Sequence, residues 1–109
     1  MNQTYVANAN MQPRRMFLGV PQTDKIQVHK VSDGRSAVIT QMILSNSDSE
    51  TASKVTLTIN TIDVMREISV EAGETRIIDL YIVLSEGDTV SLQQEKANAV
   101  NVTINGMQG

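Results

Sequence analysis

The stretch Leu80-Tyr81-Ile82-Val83-Leu84-Ser85-Glu86-Gly87-Asp88-Thr89-Val90 decides the fold of this chain. An apolar run gives way to a polar turn centred on glycine, and another apolar run begins at once. The same grammar occurs at Ser32-Asp33-Gly34-Arg35-Ser36 before Ala37-Val38-Ile39, and at Glu71-Ala72-Gly73-Glu74-Thr75 before Ile77-Ile78. Glycine supplies the φ > 0 that tight connections between strands often need. Strands joined by short turns, with no run long enough for a substantial helix, predict an all-β domain.

Working outward from these turns, Val55, Leu57 and Ile59 alternate with Thr56, Thr58 and Asn60, and Val100, Val102 and Ile104 with Asn101, Thr103 and Asn105. Strict period-two alternation marks a strand with one dry and one wet face. Ala37 to Leu44 is apolar on both faces apart from Thr40 and Gln41, which predicts a central strand or one that bends between sheets. In Arg76 to Leu84, Ile78, Leu80, Ile82 and Leu84 share a face, with Asp79 and Tyr81 opposite. Phe17 to Val20, Ile26 to Val31, Val64 to Val70 and Thr89 to Gln93 complete about eight short strands. The spacing predicts a two-sheet antiparallel β-sandwich, jelly-roll-like or Greek key, with no long helix. Residues 1–16, rich in Asn and Gln and interrupted by Pro13, have no periodic apolar face. They are expected to form a flexible N-terminal arm ahead of a single domain over residues 17–109.

Composition narrows function by exclusion. Val, Ile and Thr make up nearly a third of the 109 residues, against one Phe, two Tyr and no Trp. The net charge of −3, with so few aromatics, argues against nucleic-acid binding, which needs backbone neutralisation and stacking. No apolar run approaches the length of a membrane span, and the first residues lack the pattern of a secretory signal, so a soluble protein is expected. There is no cysteine for disulfides or thiolate metal sites. Positive charge gathers early, at Arg14, Arg15, Lys25, Lys30 and Arg35, while the acidic groups lie mostly further on. Arg14 and Arg15 are the candidate partner-docking residues, suited to hold the arm on an acidic surface.

No catalytic constellation is legible. His29 is the single histidine and reads as an outward-facing strand residue without a task. Asp33, Asp48, Glu50, Glu86 and Asp88 are turn carboxylates whose spacing matches no calcium loop. Asn46, Asn60 and Asn105 are potential sugar ligands, with Phe17, Tyr5 and Tyr81 as the available aromatic faces. The expectation is a protein without enzymatic activity, cofactor or bound metal, and a monomer in isolation.

The segments Val31-Ser32-Asp33-Gly34-Arg35-Ser36-Ala37-Val38-Ile39-Thr40 and Ile43-Leu44-Ser45-Asn46 carry a resemblance, together with Ala72-Gly73-Glu74-Thr75, Leu84 to Thr89 and Ala99 to Thr103. Over residues 17–106 the chain resembles small β-sandwich proteins encoded beside the tail genes of siphophages of Gram-positive bacteria, Bacillus-infecting phages among them. The fold implied is that of the shoulder domain of lactococcal phage receptor-binding proteins. Where related modules carry Pro-Ala ahead of the first turn glycine, this chain has Ser32-Asp33. The resemblance implies a non-enzymatic module whose partner is a phage tail or baseplate protein, made in the host cytoplasm and destined for the virion tail. From the chain's composition, no nucleic-acid or membrane partner is expected. The alternative is a carbohydrate-binding module directed at host cell-wall glycans, which would need a concave site near Tyr5 or Tyr81.

Overall fold

The computed structural model describes residues 11–109. Eight strands form in chain order: β1 Gln12–Gly19, β2 Ile26–Lys30, β3 Ala37–Asn46, β4 Ser53–Ile59, β5 Ile62–Val70, β6 Thr75–Leu84, β7 Thr89–Gln94 and β8 Val100–Gln108. They build two four-stranded antiparallel sheets, a front sheet ordered β1-β8-β3-β6 and a back sheet ordered β2-β7-β4-β5. The chain is therefore an all-β sandwich, and its strand order is that of a jelly roll. Its logic is a long hairpin: β4 pairs with β5, β3 with β6, β2 with β7 and β1 with β8. That hairpin is then rolled so that β8 also meets β3 and β7 also meets β4.

All three glycine turns carry the chain from one sheet to the other. Gly34, Gly73 and Gly87 have φ of 75°, 71° and 82°. Each sits at the third position of a turn closed by a backbone hydrogen bond: Arg35 N to Ser32 O, Glu74 N to Glu71 O, and Asp88 N to Ser85 O. A positive φ at that position alone is the signature of a type II turn. Two of these turns are zipped together, since Val31 N donates to Asp88 O and Gly87 N donates to Val31 O. The hinge of the hairpin uses Asn60, in the left-handed region at φ 57°.

The core between the sheets is aliphatic. Ile39, Met42 and Leu44 of β3, Val55 and Leu57 of β4, Val90 and Leu92 of β7, and Val102 and Ile104 of β8 are fully buried. These strands occupy the inner positions of their sheets. Leu80 and Ile82 face the core from β6 but are only partly buried, because β6 is an edge strand.

Two expectations need correction. The boundary drawn after residue 16 falls inside β1: Gln12 to Met16 pair or pack as strand, with Gln12 opposite Gln108 and Arg15 opposite Asn105. What holds this segment is the β8 ladder and a single inserted side chain. A bulge between Arg15 and Phe17 accompanies the burial of Met16, whose methyl group and the Val38 carbonyl crowd the space a Cβ on Gly106 would take. The rest of the expected arm, residues 1–10 with Tyr5 among them, lies outside the described residues. Second, the outer face of β4 is drier than its alternation predicts, with Lys54 exposed but its threonines not. Thr56 and Thr58 are buried too, their hydroxyls engaged by Glu67 N at 3.0 Å and by the Asp63 carboxylate at 2.7 Å. The Gln94–Ala99 connector is a turn, with Asn98 at φ 64°.

Two buried amides brace one end of the sandwich. Gln94 donates to the carbonyls of Pro21 and Val100 and accepts from Ser53 Oγ and Val100 N. One side chain thus ties the β1–β2 connection, β4 and β8 together. Asn46 does the same for its own loop, donating to Thr51 O and Val70 O and accepting from Asp48 N. Gln94→Ala would orphan several buried groups at once, and each costs about 1–3 kcal/mol. We expect a loss of about 3 kcal/mol or more in urea denaturation, well beyond the change for an exposed Gln27→Ala.

Candidate interaction surface

The two outer faces of the sandwich differ in chemistry, and the strand registers show how. On the back sheet, Gln27 stands opposite Ser91, Ser91 opposite Thr58, and Thr58 opposite Asp63. Thr56 faces Gln93, and Lys54 faces Ser69. Directly opposed residues share a face, so the paired rows of this surface are hydroxyls, amides and charges, while the edge strands β2 and β5 also expose Ile26, Ile62 and Val64. Lys25 adds an ion pair to Asp63 at 3.2 Å.

The front sheet is banded instead. One row across it reads Leu18, Thr103, Ile43, Ile77. Another reads Pro13, Met107, Val38, Val83. Between these apolar rows runs a polar one: Arg15, Asn105, Gln41, Asp79. Asn105 Nδ2 donates to Gln41 Oε1 at 3.2 Å in its centre. Tyr81 stands beside this row on β6 and is 77% exposed, with Ile77 and Val83 each 64% exposed. An edge strand that shows water a tyrosine and two β-branched residues is unusual, since edges are normally blunted with charge.

The structure separates the two arginines nominated from the sequence. Both are exposed on β1, but Arg15 belongs to the polar row while Arg14, opposite Gly106, alternates to the other side of the strand. Neither makes an ion pair with a described residue.

Of the turn carboxylates, Asp48 and Asp88 are engaged internally, while Asp33, Glu50 and Glu86 are exposed. Asp48 accepts from the amides of Glu50 and Thr51 through Oδ1 and binds Lys96 Nζ through Oδ2. The Lys96 contact and these amides hold its carboxyl far below the usual range. Asp88 accepts from Ser85 N and Asn60 Nδ2, and its pKa is lowered in that order of cause. Asp63 is lowered by the Thr58 hydroxyl and then by Lys25. Among the described residues no three His, Cys, Asp or Glu side chains converge as a metal site would require. The asparagines considered as sugar ligands are likewise engaged, Asn46 in its loop, Asn60 with Asp88 and Thr89, and Asn105 with Gln41.

Two hollows stand out among the described residues. One, of about 570 Å³, lies where the edge strands β1 and β2 diverge and is walled by Phe17, Val20, Pro21, Ile26 and Val28. The other, of about 240 Å³ on the back sheet, is polar, lined by Lys54, Thr56, Glu67 and Gln93 with no aromatic ring. Tyr81 lines neither.

His29 is not outward-facing as expected. A bulge between Gln27 and His29 turns the ring partly inward, and Nε2 is buried with no hydrogen-bond partner among the described residues. An unpaired buried polar atom is a cost, so His29→Leu should raise stability by about 1 kcal/mol in thermal or urea melts. Asp48 should contribute to the acid limb of stability, alongside Asp63 and Asp88, which are lowered in the same direction. The Asp48 pKa in the folded chain lies below the ordinary 3.8, so the ionised form stabilises the fold. That contribution is complete at neutral pH and is lost as pH falls below about 4. Asp48→Asn should lower stability at pH 7, by a margin that narrows steadily as pH falls below about 4, which denaturant melts across the acid range would show.

No family model and no curated protein matches this chain. Among solved structures it is similar to a chain from the structure of the infectious bursal disease virus Gx strain, with 10% identity and a TM-score of 0.38. The match covers 89% of this chain and 31% of the other, so this chain spans about a third of that chain's length.

Proposed function

We propose that this protein is a non-enzymatic structural module of a phage tail or baseplate, working by surface contact. The observation that carries the reading is the contrast between its two outer faces, one finished for water and the other left apolar in bands. Jelly rolls serve many functions, so the fold alone selects none. The face is what distinguishes this chain from an inert sandwich: Ile77, Tyr81 and Val83 add nothing to the core, yet they stay apolar on an exposed edge. The sequence resemblance to shoulder-domain-like tail proteins supplies the setting, with assembly in the host cytoplasm and incorporation into the tail. Arg15 within the face and Arg14 beside it add positive charge suited to an acidic partner, a contribution that salt weakens.

The test is incorporation. Mass spectrometry of purified particles from the encoding phage should find the chain. The variant Ile77→Ser/Tyr81→Ser/Val83→Ser should melt close to the parent, because these side chains are exposed, yet be depleted from particles at least tenfold. Undiminished incorporation would remove the front sheet from the docking role, and absence of the parent chain from particles would remove the tail assignment.

A further inference from the structure

The bands of the front sheet are complementary to themselves, and the geometry points to a second copy of this chain as the occupant of that face. We propose a two-fold pair, packed front sheet to front sheet about an axis parallel to the strands. The inference deepens the docking reading and rests on the same surface.

Register decides which rows meet. The sheet order β1-β8-β3-β6 has its midline between β8 and β3. A two-fold axis along that midline places β1 over the β6 of the other copy and β8 over its β3, while each cross-strand row lies over its own equivalent. The polar row then sets Arg15 against Asp79 and Asn105 against Gln41, twice by symmetry. The flanking rows set Leu18 against Ile77, Thr103 against Ile43, Met107 against Val38 and Pro13 against Val83. Within these three rows every apolar residue meets an apolar residue or a threonine methyl, every amide an amide, and each charge its opposite, while Tyr81 falls between the Asp79 and Val83 rows. An axis running across the strands would instead lay Arg15 on Arg15 and Asp79 on Asp79, so the charges select one orientation.

The anatomy is that of an interface. The inner strands β8 and β3 place no charged residue in these rows, and the two charges sit on the edge strands, at the rim, where they fix register more than affinity. Sheets of this size pack face to face with strands nearly aligned. Four strands about 4.8 Å apart, with roughly eight residues each, give a face on the order of 500 Å², the small end of specific interfaces. Association is therefore weak and rises with concentration, which suits a module that pairs when gathered at high local concentration in an assembly.

Sedimentation equilibrium of the full chain from micromolar to millimolar concentration tests the pair. The parent should pass from monomer to dimer and stop there. Asp79→Arg and Arg15→Asp should each raise the midpoint at least tenfold, since each brings like charges together. Mixing the two single variants should restore pairing, because both guanidinium groups of one copy then meet both carboxylates of the other. Thr103→Arg, at the centre of the face, should abolish pairing without altering the melting temperature. A parent that stays monomeric at millimolar concentration overturns the pair. So do species that grow beyond dimers, which indicate open edge-to-edge association of β1 with β6, and so does pairing that survives Thr103→Arg. If the parent is monomeric but the face variants are still lost from phage particles, a different protein covers the face and the docking reading stands alone.

Discussion

The ladder between β3 and β8 is the constraint on which the rest depends. It runs from Ala37 opposite Gln108 to Asn46 opposite Val100, interrupted by a single irregularity after Ile39. Without it the front sheet would fall into two hairpin-like pairs, β1 with β8 and β3 with β6, and the sandwich would have no continuous wall to close against. Ile39, Met42 and Leu44 on one strand and Val102 and Ile104 on the other are buried together because this ladder fixes which side of each faces inward. A slip of one residue would turn all of them to solvent. Gly106 opposite Ile39 lets Met16 reach the core, so even the attachment of β1 depends on that register.

The sandwich itself was legible because its signals are local. The three glycine turns required φ > 0 and have it, and the alternation in β8 reported its buried face correctly. What could not be read were features decided by neighbours distant in the chain. The first part of β1 looked like an arm because Gln12-Pro13-Arg14-Arg15 has no apolar period of its own; its place is set by unpaired groups on β8. Thr56 and Thr58 looked wet because hydroxyls usually are, but Asp63 and the backbone of Glu67 give them partners. Gln94 and Asn46 gave no sign of being braces, since a buried amide and a loop amide are the same letters.

The front face was half visible. The run Ile77-Ile78-Asp79-Leu80-Tyr81-Ile82-Val83-Leu84 is apolar on both sides of the strand apart from Asp79, a pattern usual for a strand covered on both faces. Its position at the edge of a sheet becomes clear only with the strand order. Two-sided apolarity at an uncovered edge is what makes the surface a candidate contact. The banding with one guanidinium and one carboxylate at opposite rims emerges only from the registers of four strands that are far apart in sequence.

Because β8 lies between β1 and β3, the order of synthesis and the order of assembly conflict. β1 leaves the ribosome first, but its hydrogen-bonded neighbour among the described strands is complete only when residue 108 has been made. Until then β3 and β6 can pair while the other edge of β3 stays open, and β1 has no strand to join. Acquisition of structure must therefore wait on contacts of the greatest sequence separation, which places this chain among slow, topologically demanding folders. The nascent chain meanwhile carries an unsatisfied strand edge next to the apolar residues of β3, a state exposed to misassociation with other unfinished copies.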